Sequence, residues 1–154
     1  MIRTAVAIAL LCSSAPALAQ ATPAAPDAKM VQLVEDAADD GAKLVGEIKT
    51  GKLADGDLAT FSFTIEPGKT YWVYGVCDQK YCDDLDLEGK NARGFVLDTD
   101  DTKKDADPVL LIADKVATKL NVTVMMEDCG AKTCAFGIGL YEQPLVWPDG
   151  PPKQ

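Results

Sequence analysis

Histidine is absent from the sequence, and beyond residue 19 the only serine is Ser62, set between Phe61 and Phe63. These absences remove histidine-based acid–base chemistry and the common serine and cysteine triads, which need an imidazole beside the nucleophile. Long apolar runs are missing too. The run near the N-terminus covers only Ala5 to Leu11, and nothing later approaches the roughly eighteen apolar residues of a membrane-spanning helix. Basic residues are scarce, with 15 Lys and Arg against 24 Asp and Glu and a formal charge of −9. Nucleic acid and anionic lipid are excluded as partners by that balance, since both need phosphate neutralisation by Lys and Arg. Cations or a basic partner are the electrostatically compatible ligands.

What the N-terminus does contain is an export signal. Met1-Ile2-Arg3 is a short positive start, the apolar run follows, and Ala17-Leu18-Ala19 is a small-x-small cleavage site before Gln20. Residues 1–19 therefore read as a signal peptide, and the mature chain as periplasmic or secreted. Cys12 follows the bulky Leu11, where lipid attachment wants a small residue. Arg3 leaves with the leader and makes the mature chain one charge more negative.

Four cysteines remain, spaced as Cys77-x4-Cys82 and Cys129-x4-Cys134. An even count in an exported chain argues for two disulfides. Zinc sites use tighter C-x2-C pairs, and catalytic redox centres use C-x-x-C. The equal spacing favours two local staples, with crossed pairings left open. Closing a loop of this size stabilises by about 2 kcal/mol on the chain-entropy model.

An Ala- and Pro-rich leader at 20–27 precedes a helical stripe of Met30, Leu33, Val34, Ala37, Leu44, Val45 and Ile48, which predicts a helix over 28–49. Asp39-Asp40-Gly41 is the place for a break. Past Gly51 the apolar period becomes two: Phe61, Phe63 and Ile65 alternate with Thr60, Ser62 and Thr64, and Glu66-Pro67-Gly68-Lys69 forms a turn. Tyr71, Val73, Gly75 and Cys77 share one face of the next strand, and Trp72, Tyr74 and Val76 share the other. Further strands are expected at 84–88, 94–98, 109–112, 119–127 and 134–141. Strands with frequent turn signals and no helices between them indicate a mainly β antiparallel sandwich or barrel over 50–142. Residues 143–154 read as a Pro-rich tail.

The order of these pieces carries a resemblance. Gly51-Lys52-Leu53-Ala54-Asp55-Gly56-Asp57 before Phe61-Ser62-Phe63, then Pro67-Gly68-Lys69-Thr70-Tyr71, Cys77-Asp78, Asp84-Leu85-Asp86-Leu87, Gly94-Phe95-Val96 and Asp98 resemble the bacterial pre-peptidase C-terminal domain. The likeness runs from about Gly51 to Tyr141. It implies a jelly-roll-like β-sandwich acting as a noncatalytic accessory module of secreted proteins, related to collagenase domains that bind collagen and calcium. Gly89 and Asn91 depart from it where that family carries an aliphatic residue and an aspartate.

Two clusters of acids are calcium candidates. Asp84, Asp86 and Glu88 share one strand face by period two, and a second group follows at Asp98, Asp100, Asp101, Asp105 and Asp107. From these the candidate ligands are Asp84, Asp86, Asp98, Asp100 and Asp107. Neither group is an EF-hand: counted from Asp84, position twelve is Phe95, and counted from Asp98 it is Val109. Paired carboxylates can also hydrolyse glycosides or peptides, but the scattered acids form no recognisable pair. The sequence thus reads as an exported, noncatalytic binding or accessory protein without a cofactor other than the candidate calcium, for a protein or polysaccharide partner. A calcium-dependent structural module and a carboxylate-dependent hydrolase are the alternatives.

Overall fold

The computed structural model describes residues 26–38 and 41–142. The expected signal peptide at 1–19, the 20–25 part of the expected leader and the expected tail at 143–154 lie outside them. One helix, α1 (Ala28–Ala37), precedes the strands β1 (Lys43–Leu44), β2 (Lys49–Leu53), β3 (Leu58–Thr64), β4 (Thr70–Cys77) and β5 (Cys82–Asn91). They are followed by β6 (Val96–Asp100), β7 (Val109–Ala113), β8 (Lys119–Cys129) and β9 (Cys134–Glu142). In sheet A, β1 and β2 lie end to end along one side of β9, β4 pairs with its other side, and β7 borders β4. Sheet B has the order β3-β8-β5-β6, and every pairing in both sheets is antiparallel. Without the short β1, the orders 2-9-4-7 and 3-8-5-6 are those of a jelly roll. The chain is a mainly β antiparallel sandwich, one of the two forms that its turn spacing predicts, with the jelly-roll-like order that the resemblance implies.

Strand alternation builds the core. Val73, Leu87, Ile112, Val122 and Ile138 are fully buried between the sheets. As the period of two predicts, Tyr71, Val73 and Cys77 belong to this inner cluster, whereas Tyr74 and Val76 belong to a second one outside sheet A, with Val34, Ile48 and Tyr141. The second cluster is where α1 docks. Asp27 caps the helix, its Oδ1 accepting from Lys29 N and Met30 N at 3.0 and 3.4 Å. A ten-residue helix is marginal in isolation. Burial of Met30 and Val34, 1% and 0% exposed, supplies about 1.5–3 kcal/mol each and holds it on the sheet.

The helix is shorter than the stripe predicts. It ends at Ala37, and Leu44, Val45 and Ile48 belong instead to β1 and the segment leading into β2. Two physical causes are visible. Glu35 and Asp36 lie in the last turn of the helix, the end that repels negative charge, and no basic residue offsets them there. Gly41 and Gly46 adopt φ of 86° and 79°, a left-handed conformation that a continuing α-helix does not contain. Helical spacing and the alternation of a short strand coincide over these few residues, so the stripe alone could not separate them.

Helix docking requires glycine on β9. A Cβ on Gly139 would lie 2.7 Å from both Val34 Cγ1 and Tyr141 Cε2, and one on Gly137 would lie 2.9 Å from Val34 Cγ2. Gly139→Ala is therefore expected to destabilise the protein by about 1–3 kcal/mol through overpacking. Val34→Ala should cost less in that background than in the parent, a coupling that urea denaturation of the four proteins of the cycle would measure.

The cysteines pair locally, as Cys77–Cys82 and Cys129–Cys134. Lys80 lies inside the first loop and Lys132 inside the second. Trypsin cleavage at both should therefore leave the flanking peptides joined in those two pairs until reduction. Peptides joined as Cys77–Cys129 or Cys82–Cys134 would contradict the pairing.

Candidate functional site

The first staple forms a corner where β4 leaves sheet A and β5 enters sheet B. Between its cysteines, Tyr81 N and Cys82 N both donate to Asp78 O, at 2.9 and 3.0 Å, and Asp78 N donates to Ala135 O. The second staple lies alongside, since Cys82 and Cys129 are register partners and Gly130 N donates to Tyr81 O at 2.7 Å. Two side chains of the corner reach outward to other elements. Asp78 Oδ1 accepts from Lys29 Nζ of α1 at 2.8 Å. That hydrogen bond is the main reason the Asp78 carboxyl titrates below the usual range. Lys29 is largely exposed, so the pair orients the helix more than it stabilises it. Gln79 Nε2 donates to Asp107 Oδ2 at 2.9 Å and ties the corner to the segment before β7.

Between α1 and the outer face of sheet A these elements enclose a cleft of about 380 Å³. Tyr74, Val76 and Val109 floor it, Leu33 forms the helix wall, and Asp36, Asp107 and Gln79 stand at the rim. Trp72 stacks beside Tyr74 at 6.4 Å, and Tyr141 meets the Tyr74 ring edge-on at 5.6 Å, so the aromatic floor is held on two sides. Loss of solvent around its carboxyl, followed by the charge of Asp105, raises the pKa of Asp107. Beyond Gln79 a second cleft of about 370 Å³ is lined by Gln79, Cys82, Asp83, Lys104 and Ala106. Lys104 makes the second cleft mixed in charge. Among the described residues the first is lined by carboxylates and no cation.

The calcium candidates are divided between the two faces of sheet B. Leu85 and Leu87 point inward with 0% exposure, so Asp84 and Asp86 project outward. Asp100 and Asp98 are in register with Leu87 and Gly89, on the inward side. There Asp98 accepts from Thr99 N and Leu111 N at 3.0 and 2.7 Å, and Asp100 from Thr102 N and Val109 N at 3.3 and 2.8 Å. Asp84 accepts from Asp105 N at 3.4 Å, and Asp107 is engaged by Gln79. The two acidic groups come near enough for the charges of Asp100 and Asp101 to act on Asp86, but their oxygens do not converge as a ligand set. Among the described residues no three acidic or sulfur side chains stand together as a set able to hold a metal ion. Ser62 lies on the exposed face of β3, its Oγ donating to Asn121 Oδ1 at 2.8 Å.

A comparison with protein-family models finds no match, and a comparison with curated proteins finds none either. The cleft itself escaped the sequence reading. Its one signal was the outward face of β4, where Trp72, Tyr74 and Val76 are too apolar for a solvent-facing strand and imply a cover.

Asp86 retains an electrostatic cost. Desolvation first, then the charges of Asp84, Glu127, Asp101 and Asp100, push its pKa from the ordinary 3.8 up to about 6. The folded value lies above the unfolded one, so the native state binds the extra proton across this window and stability falls as pH rises through it. Asp86→Asn should flatten that slope and, after discounting for solvent screening at this surface, stabilise the protein by about 1 kcal/mol at neutral pH. Thermal melts of both proteins from pH 4 to pH 7 check this. An unchanged slope in the variant would show that Asp86 is not the titrating group.

Proposed function

We infer that the chain is an exported, noncatalytic binding module of the pre-peptidase C-terminal kind, whose cleft between α1 and sheet A holds a basic segment of a partner protein. The observation that carries this reading is the composition of the cleft: an aromatic and aliphatic floor under a rim whose only charges, among the described residues, are Asp36 and Asp107. A lysine or arginine stem lies along Tyr74 and Val76 while its cationic head sits between the two carboxylates. The acid excess of the chain favours the same partner by steering cationic groups toward it.

Export is supported by the signal-peptide pattern at 1–19 and by two disulfides, which persist in oxidising compartments. No described helix is long and apolar enough to cross a membrane. The noncatalytic reading is supported by the absence of histidine and by the position of Ser62, which has Asn121 rather than a base beside it. The stretches that carry the resemblance lie in turns and strands of the sandwich: Pro67-Gly68 between β3 and β4, Asp84 to Leu87 within β5, and Gly94-Phe95 leading into β6.

Titration of isotope-labelled mature protein with the blocked tripeptide Leu-Arg-Leu should move the NMR signals of Leu33, Tyr74, Val76 and Asp107. Asp36→Asn with Asp107→Asn should weaken binding about three- to tenfold, the worth of two exposed charges. Added salt should weaken it as well. Binding should also fade on acidification, earlier than an ordinary aspartate would cause, because the raised pKa of Asp107 neutralises it sooner. An equal response to Leu-Glu-Leu, or shifts spread evenly over the acidic surface, would sink the assignment.

A further inference from the structure

Edge strands decide where a sandwich is open to another chain, because each presents a row of N–H and C=O groups without a ladder partner. Three of the edges here are guarded. Asp98 and Asp100 of β6 cap Leu111 N and Val109 N of β7, which joins those two edges through side chains. β2 carries Lys49 and Lys52, charges of the kind that discourage a further strand. The remaining edge, β3, has no such device. Its sequence, Leu-Ala-Thr-Phe-Ser-Phe-Thr, contains neither charge nor proline, and its register with β8 runs without a shift from Leu58 to Thr64. Asp57 O accepts from Met126 N, and Ile65 N donates to Thr118 O, so the odd-numbered residues bond to β8. By alternation the N–H and C=O groups of Leu58, Thr60, Ser62 and Thr64 point away from it. Among the described residues no strand pairs on that side.

We propose that β3 is a self-pairing edge, at which two copies of the chain join their four-stranded sheets through an antiparallel β3 to β3 contact. A two-fold axis at Phe61 sets Thr60 against Ser62 and Leu58 against Thr64, so that every outward N–H and C=O of these residues meets its counterpart. Charge selects both the edge and the occupant. A chain of net charge −9 repels its own copies over most of its surface, but at the axis the strip formed by Thr60 and Ser62 with Thr123 and Asn121 of β8 is neutral, and the one charge at its end, Lys119 opposite Thr64, is positive. Asp84, Asp86 and Glu88 stand on β5, beyond β8. Leu58, 62% exposed at the start of the strand, gains cover from the second copy. Edge pairing buries less than the roughly 1,200 Å² of a standard interface, so the dimer is weak and reversible. The inference does not depend on the cleft or on its ligand.

Sedimentation velocity of the mature protein, from tens of micromolar to millimolar, should show a monomer passing reversibly into a dimer, more readily as salt screens the net charge. Over the same series the amides of Leu58, Thr60, Ser62 and Thr64 should gain protection from hydrogen exchange, a measurement that needs no variant. Thr60→Lys with Ser62→Lys brings lysines face to face across the axis and should leave a monomer with the parent's circular dichroism. Thr99→Lys, on the guarded β6, should dimerise like the parent. A monomer at every concentration, a dimer that survives the β3 substitutions, or protection of the edge amides that does not vary with concentration would each overturn the proposal. The last would mean that a segment of the same chain covers β3.

Discussion

Strand β9 is buried on both faces, and that single constraint organises the rest of sheet A. Inward, Phe136, Ile138 and Leu140 close the core against sheet B. Outward, Gly137 and Gly139 leave the groove into which Met30 and Val34 of α1 descend. A larger residue at either glycine would lift the helix, uncover Tyr74, Val76 and Tyr141, and dissolve one wall of the cleft. The continuous apolar run of this strand, unlike the alternating runs of β3 or β8, is the pattern of a strand covered on two sides.

The disulfide corner then fixes where the helix and the loop before β7 stand relative to that groove. Cys77 and Cys82 hold Asp78 and Gln79 in a short turn, one facing Lys29 and the other Asp107. The Cys77–Cys82 pair is thus neither a metal site nor a redox motif in its geometry. It is a brace between two sheets, a helix and a loop. Its energetic contribution, about 2 kcal/mol on the chain-entropy model, matters less to the site than its placement of those two side chains.

Much of the acidity has a local structural use. Asp27 caps α1, Asp55 accepts from Cys129 N, Asp114 accepts from Val116 N and Ala117 N, and Asp98 and Asp100 cap the exposed side of β7. Each satisfies backbone N–H groups that a turn or a sheet edge leaves without a ladder partner. The clustering that suggested calcium arises because turns and edges recur every few residues in a jelly roll. Asp86 has no such duty and carries the electrostatic cost of facing its neighbours.

The inward and outward faces of β4 and β5, the existence of most strands, the local disulfide spacing and the acid excess were legible in the sequence, because each depends on residues close together along the chain. Period two assigns Leu85 and Asp86 to opposite faces whatever lies across from them. The end of α1, the sharing of β9 between β4 and the β1–β2 pair, the separation of Asp84 and Asp86 from Asp98 and Asp100, and the cleft over Tyr74 were decided only by the tertiary structure. All of these follow from strand order and register, contacts between residues tens of positions apart. One strand's shift in register, or one exchange of sheet partners, would have regrouped the same side chains without altering a single local preference.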